Sequence, residues 1–175
     1  MKYLKAVIGI AVLITLDQLT KFLAYTRLRG TDGIDIIKGV LRLEYLENRG
    51  SAFGLMQNQK VFFIIFTVIV LAVMAFIYAR VPETKRMASL RAVLIMLFAG
   101  AVGNFIDRLV HTFVIDFIYF EIIDFPIFNV ADICVSIGAV LLVVLMIFYY
   151  KDEDLSFLRK KGAEEKKAED DNAGA

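Results

Sequence analysis

The chain has 175 residues, 59% of them hydrophobic, with a formal net charge of only +1. A mean hydropathy of +0.67 is outside the range of a water-soluble domain and marks an integral membrane protein. The 20 Lys and Arg residues lie in flanks and loops and form no stripe, so nucleic acid is not an expected partner.

The first span covers about residues 3–25. It is apolar from Ala6 to Leu16, carries Asp17, Gln18 and Lys21, and resumes with Phe22, Leu23 and Ala24. Lys2 and Lys5 ahead of an apolar run also fit a cleavable signal peptide, but no small-residue cleavage site follows, so a permanent span is expected. Asp17 and Lys21 stand at i, i+4, one turn apart on one helix face, where they neutralise each other. The plain reading is an ion pair that makes a polar helix insertable.

In the first connection, Leu41, Leu43 and Tyr45 alternate with Arg42 and Glu44, the period of a half-buried strand. Gly30, Gly33, Gly39, Gly50 and Gly54 punctuate it. A small outer-face β-sheet is expected within residues 30–58, with Gly50 and Gly54 flanking Ala52 and Phe53 as a lid. The second span, about 61–79, is uncharged throughout and long enough for a hydrocarbon core of about 30 Å. After it come Arg80, Lys85, Arg86 and Arg91 in a short connection, whereas His111 to Phe128 holds neither Lys nor Arg. By the positive-inside rule both termini are expected in the cytoplasm. The first connection carries Arg27, Arg29, Lys38, Arg42 and Arg49, against that rule, but it is long and mixed with Asp32, Asp35, Glu44 and Glu47, as a folded piece would be.

The third span, about 91–109, places Gly100, Gly103, Asn104 and Asp107 on one helical face. Glycines there suit close helix approach. Arg108 has two readings: snorkelling to lipid phosphates, or holding a carboxylate through a forked pair of hydrogen bonds. His111 is the single histidine, expected at the interface and without partners for a His-rich metal site. From Phe113 to Phe125 an aromatic segment suits an extended or interfacial element. Asp116 stands there among Phe113, Val114, Ile115, Phe117 and Ile118 with no local reason for a charge. Glu121 and Asp124 lie nearby, and spacing does not say which acids meet. The fourth span, about 130–150, opens with Asn129 as N-cap and Asp132 three residues later, a capping-box variant that by itself needs no catalysis. The single cysteine, Cys134, reads as a small buried hydrophobe and excludes an intramolecular disulfide. Residues 151–175 alternate charges and are expected to form a solvated cytoplasmic tail. The architecture expected is a membrane all-α fold of four spans with a small outer sheet and an interfacial segment between spans three and four.

Ionisable groups near hydrocarbon are costly and mark candidate sites. If two carboxylates face each other, they cannot both ionise cheaply and share a proton, so one acts as base toward water and the other as acid toward a carbonyl. That chemistry needs no metal, cofactor or covalent nucleophile. The rivals are a proton- or ion-coupled transporter, disfavoured because no repeat is evident and the acids cluster at one end, and a non-catalytic membrane subunit.

Five motifs then stand in order: D-Q-L-T-K (17–21), E-N-R-G-S-A-F (47–53), G-N-F-I-D-R (103–108), V-I-D-F (114–117) and F-N-V-A-D (128–132). Together they resemble the bacterial lipoprotein signal peptidases, signal peptidase II, over roughly residues 1–150. The resemblance implies an intramembrane aspartic endopeptidase of the bacterial inner membrane. It would remove signal peptides from prolipoproteins by cutting before a diacylglyceryl-modified cysteine, acting as a monomer among membrane lipids. It implies Asp116 and Asp132 as the catalytic pair and Asp17, Lys21, Asn48, Asn104, Arg108 and Asn129 as supporting residues. Asp107 reads as a structural partner of its own motif.

Overall fold

The computed structural model describes residues 1–50 and 60–158. Helix α1 spans Lys2–Arg27, α2 Lys60–Arg80, α3 Ala88–Val110 and α4 Val130–Val144, the last continued by a π turn over Leu145–Tyr149. All four are long and apolar enough to cross a membrane. None of the described side chains of α2 is buried, and Phe62, Ile65, Phe66 and Val73 all face outward. A helix that is apolar all round belongs in hydrocarbon.

Helix α3 is central and packs against α4, α1 and α2. Its small residues set the distances. A Cβ added at Gly100 would lie 2.6 Å from the Ala131 carbonyl oxygen and 3.1 Å from the Cys134 Cβ, and one added at Gly103 would lie 2.5 Å from Asp17 Oδ2. The backbone of α3 therefore comes close enough for polar groups on α1 and α4 to reach across it. Cys134 is buried in this seam.

Three antiparallel strands cover one end of the bundle in the order β1 (Ile34–Ile37), β2 (Leu41–Asn48), β3 (Val114–Tyr119). Alternation over Leu41–Tyr45 pointed to β2, whereas β1 carried no such signal. The sheet's third strand comes from the segment between spans three and four, so the two outer pieces form one sheet, with Leu46 opposite Asp116 and Asn48 opposite Val114. This pairing puts Asn48 beside the acid-bearing strand. Gly33 enters β1 at φ +80, and a Cβ there would lie 2.6 Å from the Leu43 carbonyl oxygen, so both backbone and space require glycine.

Ala24, Leu28, Ile115 and Phe117 form a buried cluster between α1 and the sheet. A second cluster, Val81, Met87, Leu90, Leu94 and Tyr150, lies at the opposite end. There Lys2 Nζ donates to the carbonyls of Ala79 and Val81 at 2.9 and 2.6 Å, a cation on the last carbonyls of α2. The segment expected to begin a solvated tail does not do so at once. Leu155 and Phe157 pack on this second cluster, and Arg86 grips Asp154 with two bonds of 2.6 and 2.7 Å. Two apolar side chains and one forked ion pair suffice to dock a short turn. Residues 159–175 of the expected tail lie outside the described residues.

Candidate active site

In the polar patch of α1, Asp17 and Lys21 are buried and Gln18 is half-buried. Lys21, 1% exposed, directs its ammonium to Asp17 Oδ2 at 2.9 Å, Asp107 Oδ2 at 3.0 Å and Asn104 Oδ1 at 2.9 Å. The Asp17–Lys21 pair is thus part of a triad with Asp107. Asp107, read beside the resemblance as a structural partner of its own motif, instead reaches across to α1. A cation in a low-dielectric interior persists only with such partners.

Each carboxylate of the triad also takes a backbone N–H next to another acid. Asp17 Oδ1 accepts from Ala131 N at 2.8 Å, and Asp107 Oδ2 accepts from Ile115 N at 3.0 Å. Those peptides immediately precede Asp132 and Asp116. Gln18 ties the two together, its Nε2 lying 3.2 Å from Asp17 Oδ2 and 3.0 Å from Asp107 Oδ1. Sequence reading noted Gln18 only as part of a polar patch. Its place three residues before Lys21, hence on the same face, was the available signal.

From this triad the donor directions propagate. Lys21 only donates, so Asn104 presents its oxygen to Lys21 and its Nδ2 to Asp132 Oδ1, at 2.7 Å. Asn129 caps α4 by accepting from Asp132 N at 2.9 Å, which turns its Nδ2 toward Asp116 Oδ1 at 2.6 Å and Asn104 Oδ1 at 3.1 Å. Asn48 accepts from Gly50 N at 3.1 Å and donates to Asp116 Oδ2 at 2.8 Å. Asp132 Oδ2 takes Asn129 N at 3.2 Å, completing the capping box. All four oxygens of Asp116 and Asp132 therefore face an N–H donor. Such a surround suits a pair of acids better than a metal cage, whose oxygens would have to turn to the ion.

Both acids line one cavity of about 610 Å³, together with Asn48 and apolar residues such as Phe125, Phe128 and Ile133. Asp116 is 1% exposed. Burial pushes its carboxyl up to about 7, with the Asp132 charge adding to the rise and the amides of Asn48 and Asn129 and the Lys21 charge opposing it. The other nearby acids are elsewhere: Asp124 accepts from the Tyr119 hydroxyl at 2.7 Å, and Glu121 opens a 3₁₀ turn. Two acids on one largely apolar cavity, Asp116 buried and Asp132 half-buried, each oxygen held by an N–H, are equipped for proton transfer to and from a carbonyl and a water. Residues 9–148 match the model of the family described as signal peptidase (SPase) II.

The chain belongs to the signal peptidase II family. It is an aspartic endopeptidase of that type and a multi-pass membrane protein. It is similar to the lipoprotein signal peptidase of Streptococcus pyogenes serotype M5 (strain Manfredo), 37% identical over 148 residues that cover 85% of this chain and 94% of that one. A relative from serotype M3 (strain SSI-1) is 36% identical over the same shares. A bacterial membrane enzyme solved at 2.3 Å by the in meso method matches with a TM-score of 0.74 at 30% identity, covering 90% of this chain and 93% of that one. A second such structure, at 1.9 Å, matches with the same TM-score and covers 83% and 94%.

Of the two readings of Arg108, the structure of this signal peptidase II does not show the carboxylate-holding one. Arg108 makes no carboxylate pair among the described residues. Its guanidinium lies 4.9 Å over the Phe63 ring of α2 and donates to the Asn104 carbonyl at 3.3 Å. Spacing along α3 says nothing of an aromatic face offered by α2, and that face holds the cation. His111 stacks between Tyr25 and Phe113, with ring centroids at 6.1 and 5.6 Å. The expected lid around Ala52 and Phe53, with Gly54, lies outside the described residues.

Proposed function

We propose that this peptidase removes signal peptides from prolipoproteins by cleaving before a diacylglyceryl-modified cysteine, with Asp116 and Asp132 activating a water. The observation that carries this reading is the shared cavity in which every oxygen of both acids faces an N–H donor. Asp116, held near 7 by burial, carries the shared proton at rest. Asp132 takes a proton from water as that water attacks the scissile carbonyl. Asp116 gives its proton to the carbonyl oxygen, and the resulting diol collapses as a proton passes to the departing amine. Asn48, Asn104 and Asn129 hold the acids, Asp17 and Lys21 hold the backbone that bears them, and Arg108 adds positive charge beside Asn104.

The apolar residues of the cavity suit acyl chains that enter sideways from the bilayer. The Lys/Arg contrast between residues 80–91 and 111–128 supports cytoplasmic termini and a site toward the outer leaflet, and the bacterial relatives support residence in the bacterial inner membrane. A single chain supplies all the acids and amides of the cavity, which supports action as a monomer.

The test is cleavage of a lipidated prolipoprotein by purified enzyme. Asp116→Asn and Asp132→Asn should each abolish turnover while the protein remains folded, because shape survives and the exchangeable proton does not. Turnover retained by either variant rejects the pairing.

A further inference from the structure

Ser136 belongs to the same cavity but not to the network around the acids. It lies one helical turn after Asp132, about 6 Å further along α4 and away from the sheet, and it lines the cavity between Ile133 and Ile137. Among the described residues it is the sole hydroxyl of the cavity wall, it is exposed to that space, and its Oγ has no hydrogen-bond partner. A serine in a membrane helix ordinarily turns its hydroxyl back to the carbonyl one turn earlier. Thr20 and Thr26 of α1 do so, donating to Leu16 and Phe22 at 3.0 and 2.9 Å, whereas Ser136 does not. An O–H donor exposed among the apolar side chains of the cavity is free to take an acceptor that enters it.

The nearer polar groups are already engaged: Asn48 with Asp116 and Gly50, and Asp132 with Asn104 and Asn129. What enters beyond them, on the substrate class proposed above, is the glyceryl group on the cysteine sulfur. Its linkages to the acyl chains offer ester carbonyls, which accept and never donate. A short thioether-linked arm separates them from the scissile amide, and one helical turn is within its reach. We infer that Ser136 is a specificity-determining residue that donates a hydrogen bond to an ester carbonyl of the diacylglyceryl group. It reads the ester linkage, while the apolar walls take the chains whatever their attachment.

This inference rests on the proposed substrate, and the experiment separates the two. Full-length enzyme is given a prolipoprotein peptide whose cysteine carries S-(2,3-diacyloxypropyl), and in parallel the ether analogue carrying S-(2,3-dialkoxypropyl) with chains of equal length. The wild type should show a KM roughly three- to ten-fold lower for the ester, the range of one neutral hydrogen bond. Ser136→Ala should raise KM for the ester by that factor and lose the preference, and Ser136→Thr, which keeps the hydroxyl, should restore it. A wild type that treats both peptides alike, or a Ser136→Ala that still prefers the ester, overturns the role of Ser136. A wild type that cleaves neither peptide overturns the proposed substrate and this inference with it.

Discussion

Lys21 has three N–H groups, and Asp17, Asp107 and Asn104 take all of them. Replacing it with Met would strand two buried carboxylates, a loss of about 3–5 kcal/mol. A thermal melt in detergent should show it as a large fall in midpoint, and Lys21→Arg should not restore it, since three partners converge on one nitrogen and a planar guanidinium does not fit them. Asp116 makes a second prediction at this scale. Its carboxyl holds a proton below about 7, and as pH rises through that value this proton is lost, so turnover should fall on an alkaline limb there. The Asn48 hydrogen bond favours the ionised form and holds that value down. Asn48→Ala should therefore move the limb to higher pH, while lowering the rate about ten- to hundred-fold through loss of a charge-assisted bond. A pH profile of kcat checks both, and an unmoved or lowered limb contradicts them.

At the scale of elements, the decisive contact is α3 against α4. Gly100 faces the Ala131 carbonyl, and Ala131 N is the group that Asp17 holds. Gly100→Val must push α4 away, a strain of about 1–3 kcal/mol, and the same displacement carries Asp132 off its partner Asn104. A lowered melting midpoint together with lost cleavage is expected. A lowered midpoint with full cleavage would show that helix spacing does not govern the acids. Strand β3 acts similarly from the other side: its backbone is fixed at Ile115 by Asp107 and at Asp116 by pairing with Leu46. Capping and pairing thus set both acids through backbone, which is stiffer than any side-chain contact.

Across the whole molecule, the two ends carry different tasks. The sheet end gathers the acids, amides and cavity, whereas the opposite end is closed by the Lys2 bonds, the Val81–Tyr150 cluster and the docked turn after α4. A chain ending at Tyr150 should be less stable by about 2–3 kcal/mol than one ending at Leu158, because Leu155 and Phe157 then no longer cover that cluster. Comparing the midpoints of the two forms tests it, and equal midpoints would reduce the docked turn to decoration. Four spans, the strand over Leu41–Tyr45, the Asp17–Lys21 pair and the Asn129 cap were readable directly, since each depends on groups three or four apart on a helix or alternating along a strand, distances that local geometry encodes. Which strand sits beside Asn48, where Asp107 turns and which ring receives Arg108 were decided only by folding. Asn48 and Asp116 are 68 positions apart in the chain and 2.8 Å apart in space, and no periodicity spans that separation: it takes the packing of α3 between its neighbours and the joining of two loops into one sheet.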